Sequence, residues 1–237
     1  MTGLRNLITG LPDAFAAAPR PARVEGCPCC TSPAGPDALL RTPRERLGPE
    51  ELAHYAGAVL DTVGSPADLR YFAPRILQLL LTGELACPEL ESFCLKLARA
   101  SWQDWPEAPY LRRLFHALWQ DVLGDGEEWW DAEAVLCAVA AADPATVEPA
   151  LAEWARLATP TAVERLHEFL LHSGTEPRNA FWDRRAPGYR AFTDWLCDPV
   201  LLAAVEEAVH RTENPAHLEQ LFTVHAVLET QRHRPAR

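Results

Sequence analysis

Five times in this chain a small polar residue stands directly before a proline at the head of an amphipathic stretch: Ser65-Pro66, Asp143-Pro144, Thr159-Pro160, Asp198-Pro199 and Asn214-Pro215. The polar side chain can accept a hydrogen bond from the exposed N–H groups of a first helical turn. The proline suits the first helical position, where its missing N–H costs nothing. A helix is therefore predicted at each pair. Ser65-Pro66-Ala67-Asp68 also has the form of a capping box.

Apolar spacing predicts the remaining helices. One runs from about 49 to 63, with Leu52, Tyr55, Ala56, Val59, Leu60 and Val63 on one face and Gly64 as its stop. The helix opened by Ser65 meets Pro74, which should kink or restart it. Others are expected near 88–101, 107–123 and 131–142, and a short one within 2–18. No alternating pattern of useful length predicts a strand. The fold class is all-α: a bundle or a short, HEAT-like stack of antiparallel helical hairpins, with an irregular Pro-rich N-terminal arm.

That arm covers residues 1–48, where Pro19, Pro21, Pro28, Pro33, Pro36 and Pro43 forbid a long helix, and residues 49–237 read as one helical domain. Within the domain, Asp143-Pro144 and Asp198-Pro199 each precede a second polar-proline pair by the same interval. Shifting one half onto the other matches Val147 with Leu202, Val163 with Leu218 and Leu166 with Leu221. Neither hairpin can bury its apolar face alone, so 143–172 and 198–230 are expected side by side.

The segment Glu51-Leu52 to Tyr55, Thr62-Val63-Gly64, Asp68-Leu69-Arg70-Tyr71-Phe72 and Pro74-Arg75-Ile76-Leu77, preceded by a Cys-x-x-Cys arm, resembles a family of uncharacterised bacterial all-helical proteins. The resemblance covers about residues 25–105. It implies a helical fold and transfers no catalytic residue.

The formal net charge of −11 disfavours general binding to nucleic acid or to an anionic membrane, both of which need a positive face. It suits a basic protein partner. Lys96 is the only lysine among 22 basic residues, a mark of GC-rich coding rather than of function. No signal-peptide layout or long apolar run is evident, so a cytoplasmic protein with reduced cysteines is expected.

Cys27 and Cys30 have zinc-ligand spacing, and Cys29 lies between them. A structural zinc needs four ligands, so His54 or Cys87 would have to arrive through the fold. No βαβ pattern supports a redox pair. His167 and His172 are five residues apart, about 140° around a helix, which rules out the zinc-protease motif. Glu-x-x-His occurs at Glu51/His54, Glu164/His167 and Glu207/His210, a pattern that builds di-iron sites when two copies face each other. Charged helix surface is the plainer account of all three. His225 shares an apolar face with Leu218, Leu221, Phe222 and Leu228 and is expected to be a hydrogen-bonded core histidine.

Residues 173–190 form the longest irregular stretch of the helical part. There Trp182 and Tyr189 are interleaved with Arg178, Arg184, Arg185 and Arg190, a locally positive island in an acidic chain. Arginine and tryptophan are enriched at interfaces. A second cluster, Arg70, Tyr71 and Arg75, straddles Pro74, where arginine can satisfy carbonyls freed by the proline. No phosphate loop, nucleophile elbow or other catalytic constellation is present. The chain is therefore expected to be a non-catalytic interaction module, an adaptor or immunity-type binder of another protein, without a cofactor. The alternative is a metal-binding protein using Cys27/Cys30, with zinc, or the Glu-x-x-His pairs.

Overall fold

The computed structural model describes residues 3–27, 36–124 and 130–232. Among them it contains twelve α-helices, four short 3-10 turns and no strand beyond two isolated bridges, so the chain is all-α. The residues divide into two compact units, Met1–Ala117 and Leu118–Arg237.

The first unit holds α1 (Gly3–Thr9), α2 (Leu11–Ala14), α3 (Pro49–Ala58), α4 (Pro66–Leu81), α5 (Leu90–Arg99) and the first part of α6 (Ala108–Leu123). Its centre is α4, on which Leu69, Phe72, Ala73, Ile76, Leu77 and Leu79 are fully buried. Ser65 caps it as expected: its Oγ accepts from the Asp68 N–H, and the Asp68 carboxylate accepts from the Ser65 N–H at 2.7 Å. Pro74 lies inside α4 and does not restart it. The Tyr71 carbonyl, one turn before the proline, accepts from Arg44, a buried guanidinium that also donates to Phe15 at 2.9 Å and lies over the Tyr71 ring. Leu11 and Phe15 of the N-terminal segment are fully buried, and α1 and α2 pack on α4.

The expected 49–63 helix is shorter. It stops at Ala58, and Leu60 takes a positive φ of 68°. Tertiary donors captured the carbonyls it would have used: Lys96 Nζ donates to Val59 and Arg99 to Leu60. Thr62 accepts from the Cys27 N–H, and the Gly64 N–H donates to Glu25, so the turn pairs with the N-terminal arm instead.

The second unit holds the end of α6, α7 (Ala132–Ala142), α8 (Val147–Trp154), α9 (Pro160–Ser173), α10 (Pro187–Leu196), α11 (Pro199–Arg211) and α12 (Pro215–Arg232). All four polar-proline pairs of this unit open helical structure. Asp143 first caps a 3-10 turn, Pro144–Thr146, that runs into α8. Thr159, Asp198 and Asn214 cap α9, α11 and α12 through their side-chain oxygens.

Trp154 is fully buried between Trp119, Phe192 and Trp195, and stacks on Trp195 with ring centroids 5.4 Å apart. The α11–α12 hairpin lies beside α9. Arg211, at the end of α11, donates to the carbonyl of Arg156, the residue matched to it by the sequence shift. The two hairpins are thus neighbours. Between them in sequence comes α10, which packs on α7 and α8.

Candidate functional site

The 173–190 segment is irregular up to Ala186, and its last residues open α10, a helix the apolar pattern does not announce. What fixes the segment is Glu133 on α7, whose residue is only 7% exposed. One oxygen of its carboxyl group accepts from the Asn179 N–H at 2.7 Å and from the Trp182 indole N–H at 3.1 Å. The other faces the Ser173 hydroxyl at 3.5 Å.

Local turns complete the scaffold. Asn179 Oδ1 accepts from the Phe181 N–H, and Asp183 Oδ1 accepts from the Arg185 N–H. Trp182 and Tyr189 are half-buried and meet edge to face at 6.0 Å. Gly188 lets α10 approach: a Cβ there would lie 3.2 Å from Val147 and 3.3 Å from Ala140.

On this scaffold Arg178, Arg184, Arg185 and Arg190 are all exposed. None of the four forms an ion pair among the described residues. The pairing of these arginines to acidic helices, the plain structural account of such an island, is not seen there. The second unit carries twenty Asp and Glu against ten Arg, so four arginines without ion pairs among the described residues, gathered on one loop and the start of α10, are a departure from their surroundings. Such a surface presents planar donors to a carboxylate, with indole and phenol edges beside them.

The second cluster is engaged within its own unit. Arg70 forms a two-pronged pair with the buried Glu107, at 2.9 and 2.8 Å, and those hydrogen bonds raise its pKa further. Arg75 donates to the carbonyl of Leu47, and Tyr71 is buried beneath Arg44. Arg70 and Arg75 are thus committed to Glu107 and Leu47 rather than to the carbonyl that Pro74 frees, that of Arg70, and Arg44 reaches the next carbonyl along, that of Tyr71.

Of the thiol pair, Cys27 is half-buried beside Leu60, Asp61 and Thr62, while Cys30, like Cys29, lies outside the described residues. Among the described residues no three His, Cys, Asp or Glu side chains converge as a metal site, and the three Glu-x-x-His pairs are not brought together. His225 is half-buried rather than core, 3.3 Å from the Glu206 carboxylate. No helix among the described residues is long and apolar enough to cross a membrane.

The sequence offered the Trp182–Arg190 cluster through its charge contrast. It gave no sign of Glu133, one carboxylate among many, whose partners lie 40 to 49 residues away. Comparison with protein-family models, with curated proteins and with solved structures finds no match for this chain.

Proposed function

We propose that this chain is a non-catalytic helical interaction module, of the adaptor or immunity-binder kind, that engages another protein through residues 178–190, where the local excess of arginine selects an acidic segment in place of the basic partner that the net charge suits. One observation carries the proposal: four exposed guanidinium groups lack ion-pair partners among the described residues on a scaffold held by a buried carboxyl group. Holding an irregular loop in one shape lowers the ordering cost of binding through it. Arginines not already paired lose no internal bond when a ligand carboxylate arrives.

The test is a comparative pull-down from cells that express the protein, using wild type and Arg184→Glu/Arg185→Glu/Arg190→Glu. A partner of this surface is recovered by wild type, lost in the triple variant, and released by moderate salt, since exposed charge pairs are screened. Identical protein sets for the two baits, or recovery of no partner by either, sinks the proposal.

A further inference from the structure

We infer that the outward face of α12 is a second docking surface, shaped for a basic amphipathic helix. The inference stands apart from the 178–190 surface and uses different residues.

An amphipathic surface helix buries one stripe and turns a polar face to water. α12 departs from this pattern. Its inner stripe, Leu221, Val224 and Leu228, is buried, and Leu221 sits in the crevice formed by Val163 of α9 and Ala208 of α11. At about 100° per residue, Phe222 points roughly 160° away from Val224. Phe222 is 59% exposed. It lies in a shallow groove with Pro215, Leu218, Thr223 and Val227. Among the described residues of the second unit nothing covers this strip, and an exposed Phe with apolar neighbours one turn away on either side marks a contact surface rather than scattered surface carbon.

Charge selects the occupant. Glu219 lines the groove. Glu229 falls about two turns beyond Phe222 on the same side. Glu206 of α11 and Glu229 flank His225 at 3.3 and 3.9 Å, and both carboxylates are more than half exposed. Neither pairs with Arg or Lys among the described residues, and Glu219 has no ion pair there. The complement of an apolar strip edged by carboxylates is a helix with apolar residues at i, i+3, i+4 and i+7 and with Lys or Arg beside them. A second copy of this unit would set the same carboxylates against one another. The sequence after Gln231 is basic, with Arg232, Arg234 and Arg237, so self-association is the rival that the experiment must exclude.

The probe is a fluorescein-labelled helical peptide of Leu and Lys, with leucines at the stated spacing, read by anisotropy against a scrambled peptide of identical composition. The striped peptide is expected to bind at least about tenfold more tightly than the scrambled one, and Phe222→Ala and Glu219→Lys/Glu229→Lys should each weaken it by about tenfold. Leu95→Ala, an exposed apolar truncation on α5, should change it by less than about twofold. Equal affinity for the two peptides overturns the inference, because charge alone would then explain binding. Binding unaffected by both α12 variants overturns it as well. Light scattering of the free protein supplies the remaining arm: a dimer that Phe222→Ala dissociates assigns the face to a second copy instead. Phe222 is exposed, so its truncation leaves the core intact, and an unchanged circular-dichroism spectrum checks this. None of these arms alters residues 178–190, so failure here leaves the first surface untouched.

Discussion

Lys96, the only lysine of the chain, is 5% exposed, and its ammonium ends on the Val59 carbonyl at 3.1 Å and the Asp61 carboxylate at 2.6 Å. Arg99 takes the other oxygen of the same carboxylate at 2.7 Å. A buried ammonium is tolerable only when its donors are used, and here backbone and carboxylate share the task. The hydrogen bond from Lys96, followed by that from Arg99, holds the Asp61 carboxyl below its ordinary value of 3.8. A carboxyl group whose folded-state pKa is depressed contributes its full stability above the ordinary value. The contribution is lost as pH falls through the lowered one. The urea midpoint of wild type should therefore exceed that of Asp61→Asn by most near neutrality, and the gap should shrink at acid pH below that ordinary value. A gap that stays constant from about pH 6 to about pH 2 would show that the carboxylate charge contributes nothing. Asp61 is nearly half exposed, so solvent screening keeps the effect modest.

At the scale of elements, Glu133 joins α7 to the loop before α10. Replacing it with Ala leaves the Asn179 N–H and the Trp182 indole N–H without their acceptor, at a cost of about 2–6 kcal/mol for two donors. The visible consequence is local, because loop arginines become accessible once the loop opens. Limited trypsin digestion should cut Glu133→Ala after Arg178, Arg184 or Arg185 well before it cuts wild type. Glu133→Gln keeps an acceptor oxygen and should fall between them. Equal digestion rates for all three would show that Glu133 does not hold the loop. Helix starts were readable in the sequence because a cap and its proline act within about four residues. Helix ends and loop anchors were not. The end of α3 depends on Lys96 and Arg99, 35 to 39 residues away, and Arg44 reaches the Tyr71 carbonyl of α4 from 27 residues away. The arginine–aromatic island stood out by composition, yet its lack of ion pairs among the described residues is a property of the folded surface, and so is the outer face of α12 that those residues leave uncovered. Aromatic and apolar residues on that helix read as core from their spacing, since periodicity marks a stripe without saying what covers it.

Across the whole molecule the charge is unevenly shared. Residues 1–117 carry thirteen Asp and Glu against twelve Arg and Lys, whereas residues 118–237 carry twenty against ten. Nearly all of the net charge of −11 thus belongs to the second unit. Like charge gathered in one compact unit destabilises it through self-repulsion, and the penalty is long-ranged only when salt is low: the screening length is about 30 Å at 0.01 M and about 8 Å at 0.15 M. The second unit should therefore gain stability as salt is added, and the first should change little. Hydrogen exchange read by mass spectrometry separates the two in the intact chain. Amides in α7, α8, α9 and α11 should become more protected between about 10 mM and about 150 mM sodium chloride, while those of α4 and α5 hold nearly constant. An equal gain in both sets would assign the effect to general salting-out of apolar surface. A larger gain in α4 and α5 would contradict the charge argument itself, because the nearly neutral unit has no repulsion for salt to relieve.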